Sequence, residues 1–506
     1  MDFTSSSHLL TPQNIPTLLG GVVVTALVYS IGQVIYNLYF HPLRKFPGPK
    51  IYATSRIPYI FALLGGKINQ TIVDAHKKYG EVVRIAPDEL SFISGDTAWQ
   101  DIYGFRGAKK PEFGKDLHWY SVSPNGVRSM LSTSREDHAR VRRIFSHAFS
   151  DKALREQEPL IQRYIDLLVQ RLHEKTAAGA DVDMVRYYNF TTFDIIGDLT
   201  FGESFGCLES DDYHALVRGV FASVRALTLK LALRYYKLAE RAYAVWNGVA
   251  NGGKPAGNVV MHNFTAARVD KRLGTETSRP DVITAVENQP ESKALHAEEL
   301  KSNSNLFLVA GSETTATLLS GTTAALLKNP AAMKKVCEEI RGAFESQEEI
   351  TFDRVGQLPY LLAVLNEGFR FYPPVPTGFP RKVPDGGETV SGHYVPDNTS
   401  VYVSQYAAYH SPQNFVEPDS FIPERWLGND PRFENDKKSV LMPFSNGPRN
   451  CLGKNLAYAE MRCILAKTLF NFDIEPVDEK KNWFDQKVFT LWEKSPLMVR
   501  LKEVRG

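Results

Sequence analysis

The sequence predicts a mainly α-helical protein with a small β lobe (an α+β fold), preceded by one N-terminal transmembrane helix. Three observations support this fold class: a charge-free apolar segment near the N-terminus, a pair of strand-like runs at 81–93, and long helix-periodic apolar runs further along the chain. The chain has 506 residues, of which 43% are hydrophobic, so it can form a large core.

Charge and cysteine content narrow the class of protein further. The net charge of +2 gives no bulk positive field, and composition therefore indicates no nucleic-acid partner. Four cysteines in this length do not form a disulfide framework, which fits a reducing, cytosol-facing location. We interpret Cys207, Cys337 and Cys463 as structural thiols.

The N-terminal segment carries no Asp, Glu, Lys or Arg between Asp2 and Arg44. Residues 18–40 are largely apolar and long enough to cross roughly 30 Å of hydrocarbon as a helix. A cleavable signal peptide is the alternative, but the segment lacks a basic start and its apolar run is too long. Positive charge follows the span, which places the bulk of the chain in the cytosol. The predicted organisation is a short lumenal N-terminus (1–17), a single-pass anchor (18–40), a proline-rich hinge (41–50) and one large remaining unit (51–506).

The elements after the hinge alternate and then become helical. In the first part, the pattern predicts a helix at 72–79, strands at 81–85 and 89–93, and a loop at 111–134. In the middle, it predicts a helix that begins at Arg135, mostly helical sequence over 155–250 with a break at 200–206, an apolar and basic helix at 221–238, and a loop at 251–258. In the last part, it predicts a long helix at 297–328, a short helix at 358–370, a hairpin at 390–403 and a last strand pair at 489–501.

The centre of the long helix is Ala310-Gly-Ser-Glu-Thr-Thr315, which is poor helix-forming sequence. A buried Glu313–Thr314 pair in an apolar helix is costly unless it is used. The alternative is a surface glutamate beside threonines that bond back to their own backbone.

A second pattern places Glu367 and Arg370 on one face of a short helix, three residues apart. An exposed pair of this kind contributes only about 0.3–0.5 kcal/mol. A later Pro-Glu-Arg-Trp stretch supplies Arg425.

The strongest pattern is Phe444-Ser-Asn-Gly-Pro-Arg-Asn-Cys-Leu-Gly453, or F-x-x-G-x-R-x-C-x-G. Cys451 stands where a periodic apolar run begins, and the positive end of a helix there should lower the thiol pKa. A thiolate held in this way can ligate iron. Glycines let a large flat ligand approach, and Arg449 could reach an anionic group on it. The alternatives are a buried small hydrophobic residue or a nucleophile, although no local signature indicates a base.

These patterns together resemble the cytochrome P450 family, the haem-thiolate monooxygenases. The resemblance runs from about residue 40 to the end, rests on four motifs in the right order, and implies one large catalytic domain where length alone suggests about three. It implies Cys451 as the axial iron ligand of haem b, and it places Phe444, Arg449 and Gly453 in the haem-binding loop.

The resemblance also implies roles for residues distant from the cysteine. The haem propionates are expected to lie near His138, Arg142 and Arg381. At the position of His138 the family commonly has Trp. Thr314 is expected to bond dioxygen and Glu313 to feed protons. Glu367, Arg370 and Arg425 are expected to lock the fold beneath the haem, and residues 375–378 to line the substrate cavity.

The implied function is insertion of one oxygen atom from O2 into a small hydrophobic molecule, by hydroxylation or epoxidation. The VVRIAPDELSF and DIYG stretches most resemble fungal secondary-metabolite hydroxylases of the isotrichodermin-hydroxylase type. Because no Gly-rich dinucleotide fingerprint is evident, electrons are expected from a separate NADPH–cytochrome P450 reductase, docked near Lys454, Arg140 and Arg143. The expected location is the endoplasmic reticulum membrane, in contact with lipid.

Two other classes stay open at this stage. A haem-thiolate isomerase or dehydratase would need no reductase, and the Glu313–Thr314 pair disfavours it. A haem sensor would consume no NADPH. Four glycosylation sequons begin at Asn69, Asn189, Asn263 and Asn398, and the predicted topology leaves them cytosolic and unmodified.

Overall fold

The structure is a computed structural model that describes residues 15–107, 110–250, 252, 257–275, 277, 279–289 and 295–504. Most of the predicted lumenal segment and most of the predicted loop at 251–258 lie outside the described residues.

The helices confirm the mainly α-helical prediction. In chain order they are α1 (Ile15–Ile35), α2 (Lys50–Thr54), α3 (Ile57–Leu64), α4 (Ile68–Tyr79), α5 (Ala98–Tyr103), α6 (Arg135–Ser146), α7 (Asp151–Ala177), α8 (Met184–Phe201), α9 (Cys207–Ser210), α10 (Ala215–Arg234), α11 (Lys237–Ala250), α12 (Gly257–Leu273), α13 (Val282–Glu287), α14 (Ala297–Leu327), α15 (Pro330–Ala343), α16 (Phe352–Val355), α17 (Pro359–Phe371), α18 (Gln405–Tyr409) and α19 (Lys454–Asn471).

The strands are short and form a minor part of the fold. They are β1 (Val82–Ala86), β2 (Glu89–Phe92), β3 (Gly114–Lys115), β4 (Val182–Asp183), β5 (Arg381–Lys382), β6 (Glu388–Val390), β7 (His393–Val395), β8 (Ser400–Val403), β9 (Phe472–Pro476), β10 (Lys487–Phe489), β11 (Leu491–Glu493) and β12 (Met498–Glu503). One sheet has the order β1-β2-β8-β5-β3, a second has the order β4-β12-β9, and β6-β7 and β10-β11 form separate hairpins.

The N-terminal helix α1 continues as a π-helical turn to Phe40, and the segment Pro16–Phe40 is long and apolar enough to cross a membrane. The hydroxyls of Thr25 and Ser30 donate to the carbonyl oxygens of Gly21 and Ala26, at 2.8 Å and 2.7 Å. Because these bonds stay within the helix, neither hydroxyl is left as an unsatisfied donor, which is what a helix that crosses a membrane requires.

The helix α14 runs through the protein and packs closely on α8. A Cβ built on Gly311 would lie 2.8 Å from the Cδ1 atom of Ile196, so this crossing admits only glycine without a shift. The glycine that weakens the helix in isolation is therefore needed for packing.

Three predicted elements differ in the structure. The helix predicted at 221–238 is two helices, α10 and α11, with a break at Tyr235 and Tyr236. The predicted hairpin at 390–403 contains only β6 and β7, because β8 leaves it and pairs in parallel with β2. In the tail, β12 pairs with β9 and β4, and not with the preceding hairpin.

Candidate functional site

A largely apolar cavity lies between α14, the start of α19, α6 and the loop that carries Cys451. Its apolar wall is formed by Met130, Leu131, Phe149, Ile196, Leu306, Phe307, Ala310, Phe369, Pro374, Val375, Phe379, Leu456, Ala457 and Met461. Thr314 and the predicted loop residues Phe444, Arg449, Cys451 and Gly453 line the same cavity.

The loop before α19 owes its shape to Gly447, whose φ of 72° lies in the left-handed region. A Cβ at this position would lie 2.0 Å from the carbonyl oxygen of Tyr103. The backbone of the loop therefore packs directly against the end of α5, with no room for a side chain. The N–H of Cys451 then donates to the carbonyl oxygen of Phe444 at 2.8 Å, which closes the loop and presents the thiol to the cavity.

Burial raises the pKa of the Cys451 thiol, and the opposing effects of the Gly453 N–H, Arg142 and Lys454 are smaller. The expectation that a helix terminus lowers this pKa is therefore wrong for the folded chain. The physical reason is position: α19 begins only at Lys454, so Cys451 stands before its first turn, on the wall of a largely apolar cavity. A metal cation bound to the sulfur would supply the missing stabilisation of the thiolate.

Basic groups gather on one part of the cavity wall. Arg381 is buried, and its Nε atom has no hydrogen-bond partner. Lys115 also lines the cavity, and burial, together with Arg381 and Arg449, holds its pKa well below the ordinary value. Such a concentration of buried positive charge is costly unless an anionic group binds there.

Two arginines near the cysteine have other partners. Arg142 donates to the carbonyl oxygen and the side-chain oxygen of Asn450, both at 2.6 Å. Arg449 donates to Glu112 at 2.7 Å and 3.0 Å and to the carbonyl oxygen of Thr133 at 3.1 Å. Both side chains therefore tie the Cys451 loop to neighbouring segments while they line the cavity.

His138 lies one turn before Arg142 on α6, as the spacing predicts, and it lines the cavity, as the resemblance implies. Burial and then the charges of Arg449 and Arg142 lower its pKa to about 3. The imidazole is therefore neutral at physiological pH and can donate one hydrogen bond into the cavity.

The structure separates the two predicted residues on α14. Thr314 lines the cavity, and its hydroxyl donates to the carbonyl oxygen of Ala310 at 2.7 Å. Glu313 is buried behind this wall, where its carboxylate binds Lys494 and accepts from Thr317 at 3.4 Å. The acid and the hydroxyl are neighbours in sequence but face different surroundings.

Sequence reasoning missed Glu460 on α19. This buried side chain lines the cavity and bonds to Thr315, and burial raises the pKa of its carboxyl to about 8. A glutamate within the apolar run from Leu456 to Cys463 was the available sequence signal. Lys115 carried no comparable signal, because it falls in a segment predicted to be a loop.

The predicted Glu367–Arg370–Arg425 cluster is present and fully buried. Arg370 donates to both carboxylate oxygens of Glu367 at 2.8 Å and 2.9 Å, and the Nε of Arg425 donates to it at 3.1 Å. Although burial opposes ionisation, the two arginines hold the pKa of Glu367 below its ordinary value. The indole of Trp426 also donates to Glu367, at 2.9 Å, which joins α17 to the segment around residue 425.

The residues present fit an iron porphyrin. One thiol faces an apolar cavity, and the basic groups could take the two carboxylates of the macrocycle, for which the Arg381 Nε is a free donor. Among the residues that the structure describes, no cluster of three or more His, Cys, Asp or Glu could hold a metal by itself. An iron held by Cys451 would therefore need further ligands from a bound group such as a porphyrin.

Comparison with known proteins gives a consistent result. Residues 53–500 match the family model for Cytochrome P450. The chain is 48% identical over 502 residues to "Cytochrome P450 monooxygenase lcsI" of Purpureocillium lilacinum, which covers 98% of this chain and 96% of that protein. It is 43% identical to "Cytochrome P450 monooxygenase efuB" of Hormonema carpetanum, with 96% of each chain covered.

A third relative, "Averantin hydroxylase" of Dothistroma septosporum, is 44% identical over 513 residues, covering 98% of this chain and 95% of that protein. The extent of the family match and these near full-length similarities confirm the resemblance inferred from the motifs. The chain therefore belongs to the cytochrome P450 family, whose members hold a haem through a cysteine thiolate, and it is a monooxygenase.

Proposed function

We propose that this monooxygenase inserts one oxygen atom from O2 into a small hydrophobic intermediate of fungal secondary metabolism. The proposal includes haem b as cofactor and NADPH–cytochrome P450 reductase as electron donor. The observation that carries it is that Cys451 and Thr314 line one apolar cavity whose wall also bears a group of basic side chains. Several relatives carry the name monooxygenase, and one is named for hydroxylation of averantin.

Cys451 would ligate the haem iron, and Lys115, His138, Arg142, Arg381 and Arg449 would hold its propionates. The haem, when bound, supplies the oxygen-activating chemistry. The chain's own residues do the binding, the exclusion of water and the handling of protons.

The apolar wall gives the substrate its binding energy and keeps water out. Leu306, Val375 and Phe379 belong to three different segments of the chain, and all line the cavity. Apolar contact of this kind is worth about 25 cal/mol for each Å² buried. The wall therefore favours a hydrophobic molecule without a localised charge.

The hydroxyl of Thr314 is a proton-handling group on α14 that lines the cavity. Its present acceptor, the carbonyl oxygen of Ala310, belongs to the same helix, so a rotation about one side-chain bond redirects the O–H. An isomerase or dehydratase would not need such a group, and this disfavours the alternative class.

We also propose that the reductase docks on the surface near Cys451. Arg143 and Lys454 are exposed there. Arg140, predicted to share this role, pairs with Glu299 and Asp137, so its charge is largely compensated. The docking surface is accordingly assigned to Arg143 and Lys454.

Reversing both charges should slow electron transfer from the reductase, whereas reversing the charge of exposed Lys334 on α15 should not. Equal rates for the wild type and both variants would reject the assignment.

The membrane arrangement follows from two exposed apolar surfaces. Most of the segment Pro16–Phe40 is exposed, and α11 has no buried residue and exposes Leu238, Val245, Trp246 and Val249. We propose that residues 18–40 anchor the chain in the endoplasmic reticulum membrane, 41–50 act as a hinge, and α11 rests on the cytosolic lipid surface. The catalytic domain, 51–506, then faces the cytosol.

The direct test of function is a labelling experiment. Microsomes containing the protein and its reductase are incubated with isotopically labelled O2, NADPH and hydrophobic extracts of a fungal strain that lacks the gene. A product that gains one labelled oxygen atom only with NADPH supports a monooxygenase. A product formed without NADPH, and without label, would support the isomerase or dehydratase class.

A further inference from the structure

The hinge segment 41–50, between the apolar anchor and the catalytic domain, is packed against that domain. Leu43 is fully buried, and Phe46 is 7% exposed. The N–H of Arg84 in β1 donates to the carbonyl oxygen of Pro47 at 2.7 Å, so the hinge runs beside the strand. A segment with buried apolar side chains and a hydrogen bond to a strand has fewer conformations than a solvated linker.

The side chain of Arg84 joins the anchor to the β lobe. Its guanidinium donates to the carbonyl oxygen of Asn37 at 2.9 Å, and to that of Pro87 at 2.7 Å and 3.1 Å. Asn37 lies in the last turn of the apolar helix, where carbonyl groups generally lack a partner within the helix. Arg84 therefore caps the end of the anchor with a positive charge, which the negative end of the helix dipole favours.

The side chain of Asn37 makes a second contact at the same point. Its amide nitrogen donates to the carbonyl oxygen of Thr54, at the end of α2, at 2.9 Å. Asn37 is 8% exposed, whereas the other residues of Pro16–Phe40 are exposed or half-buried. The end of an otherwise apolar segment thus carries one polar side chain that protein covers, and that side chain holds the anchor to the domain.

Burial of the Arg84 charge makes this joint costly to open. Arg84 is 3% exposed. Burial lowers the pKa of its guanidinium to about 10, and Asp88 opposes this effect in part, so the group stays charged at physiological pH. Its hydrogen bonds to carbonyl oxygens offset the loss of hydration. If the anchor moved away from the β lobe, this buried charge would lose an acceptor.

The turn that Arg84 binds also holds the corner between α10 and α11. The side chain of Arg56 is 7% exposed and pairs with Asp88 and Glu89. At the corner, the centre of the Tyr235 ring lies 4.1 Å from the guanidinium carbon of Arg56, which is within cation–π distance. The β1-β2 hairpin is therefore tied on one side to the anchor and on the other to the corner that leads into α11.

We propose that Arg84 locks the hinge 41–50, so that the anchor and α11 meet the membrane in one fixed geometry. The stretch VVRIAPDELSF, which forms β1, β2 and the turn between them, is the joint in this arrangement. Without the lock, the catalytic domain would swing on its anchor, and α11 would leave the lipid surface more often. The inference rests on the proposed membrane arrangement and is independent of the reaction.

Proteolysis at the hinge measures the lock. Arg44, Lys45 and Lys50 are exposed, and trypsin cuts after such residues once the backbone around them has opened. Microsomes that contain the full-length protein are treated with trypsin, and domain that begins at residue 45, 46 or 51 is measured in the supernatant over time. The wild type should release it slowly. Arg84→Met should release it about tenfold faster or more, because hydrogen bonds from a charged donor are lost.

Arg341→Met is the matched control. Arg341 also donates to carbonyl oxygens at a helix end, those of Leu469 and Phe472 at 3.0 Å and 3.1 Å, and it pairs with Asp473. It joins α15 to the end of α19 and does not contact the anchor. Both variants should lower the melting temperature, but only Arg84→Met should speed release. Equal release from the two variants would overturn the lock and leave the proposed membrane arrangement and reaction intact.

A second readout follows the hinge without protease. In lipid nanodiscs, the amide hydrogens of residues 41–50 should exchange about tenfold faster in Arg84→Met than in the wild type, whereas those of α19 should exchange alike. Unchanged exchange at 41–50 would contradict the lock.

Arg84→Lys keeps the charge but offers no rigid fork for two acceptors, so it should also release the domain faster than the wild type. It serves as the test if the methionine variant does not fold. A wild type that releases the domain as fast as the Arg84 variants would overturn the lock. A wild type that alkaline carbonate extracts from the microsomes would overturn the proposed anchor, and this inference with it.

Discussion

At the scale of single residues, the cavity wall carries one acid that burial keeps neutral. Glu460 is 3% exposed and bonds to Thr315, and the pKa of its carboxyl is about 8, against an ordinary value of 4.5. Burial penalises the charged form, and the hydrogen bond with Thr315 offsets only part of that penalty. Glu460 therefore joins α19 to α14 as a neutral hydrogen-bonding group.

The raised pKa has a consequence for stability. Below about pH 4.5 the carboxyl is protonated in both folded and unfolded chains, and the free energy of unfolding is unaffected. Between about pH 4.5 and about pH 8 only the folded chain holds the proton, so stability falls as pH rises. Glu460→Gln should remove this dependence. The free energy of unfolding of the variant, relative to that of the wild type, should therefore be roughly 2–5 kcal/mol higher at about pH 9 than at about pH 5.

Thermal unfolding of the holoprotein at several pH values measures this difference. Glu338→Gln, on the exposed surface of α15, is the control and should follow the wild type. Parallel curves for wild type and Glu460→Gln would show that Glu460 ionises normally in the folded protein.

Local spacing determines the direction of several side chains that the family resemblance placed at the cavity. His138 and Arg142 are one helical turn apart, and Cys451 stands at a fixed distance from Gly447 and Gly453. The ion pair of Glu313 with Lys494 could not be predicted in this way. It joins residues 181 positions apart, and no local pattern marks the lysine.

At the scale of elements, the loop before α19 depends on one backbone conformation. Gly447→Ala places a Cβ at a φ of 72° and within 2.0 Å of the carbonyl oxygen of Tyr103. We expect this variant to lose most of its bound haem and to melt several degrees lower, since the loop must move to relieve the clash. Haem content per protein and the melting temperature are the measurements.

Gly428→Ala is the matched control for this variant. Its φ of 78° imposes the same backbone cost, about 1–2 kcal/mol, but a Cβ there meets no atom within 4 Å. Gly428→Ala should keep its haem. Equal haem loss in the two variants would mean that backbone strain, and not the contact with α5, accounts for the effect.

A second element-scale prediction concerns the buried cluster that joins α17 to the segment around residue 425. Glu367→Gln leaves Arg370 without its counter-charge in a fully buried site. We expect a loss of about 3–5 kcal/mol in the free energy of unfolding, measured with denaturant. Glu338→Gln, which breaks the exposed pair with Lys334, should cost less than about 1 kcal/mol. A similar small cost at Glu367 would contradict a structural role for the cluster.

Helix positions were largely predictable, and strand partners were not. The period of apolar residues fixes α4, α14, α17 and α19 to within a few residues. In contrast, β8 pairs with β2, more than 300 residues earlier, and β12 pairs with β9 and β4. Such pairing depends on how the whole chain packs, which a local pattern does not contain.

At the scale of the whole molecule, the exposed sequons report on membrane orientation. Asn69 and Asn189 are buried, whereas Asn263 and Asn398 are exposed and would accept a glycan if the domain faced the lumen. The proposed cytosolic orientation predicts no mass loss when the full-length protein from microsomes is treated with endoglycosidase. Ser5→Asn, which creates a sequon before the anchor, is the positive control and should become sensitive. Glycans at 263 or 398 would place the domain in the lumen.

The reduced carbon-monoxide difference spectrum, recorded for microsomes that contain the wild type or Cys451→Ala, reports directly whether Cys451 ligates the haem iron. We expect a thiolate-type Soret band in the wild type and none in the variant, because Cys451 lines the cavity. A variant that kept the band, or a folded and haem-loaded wild type without it, would contradict the assignment of Cys451 and the mechanism built on it.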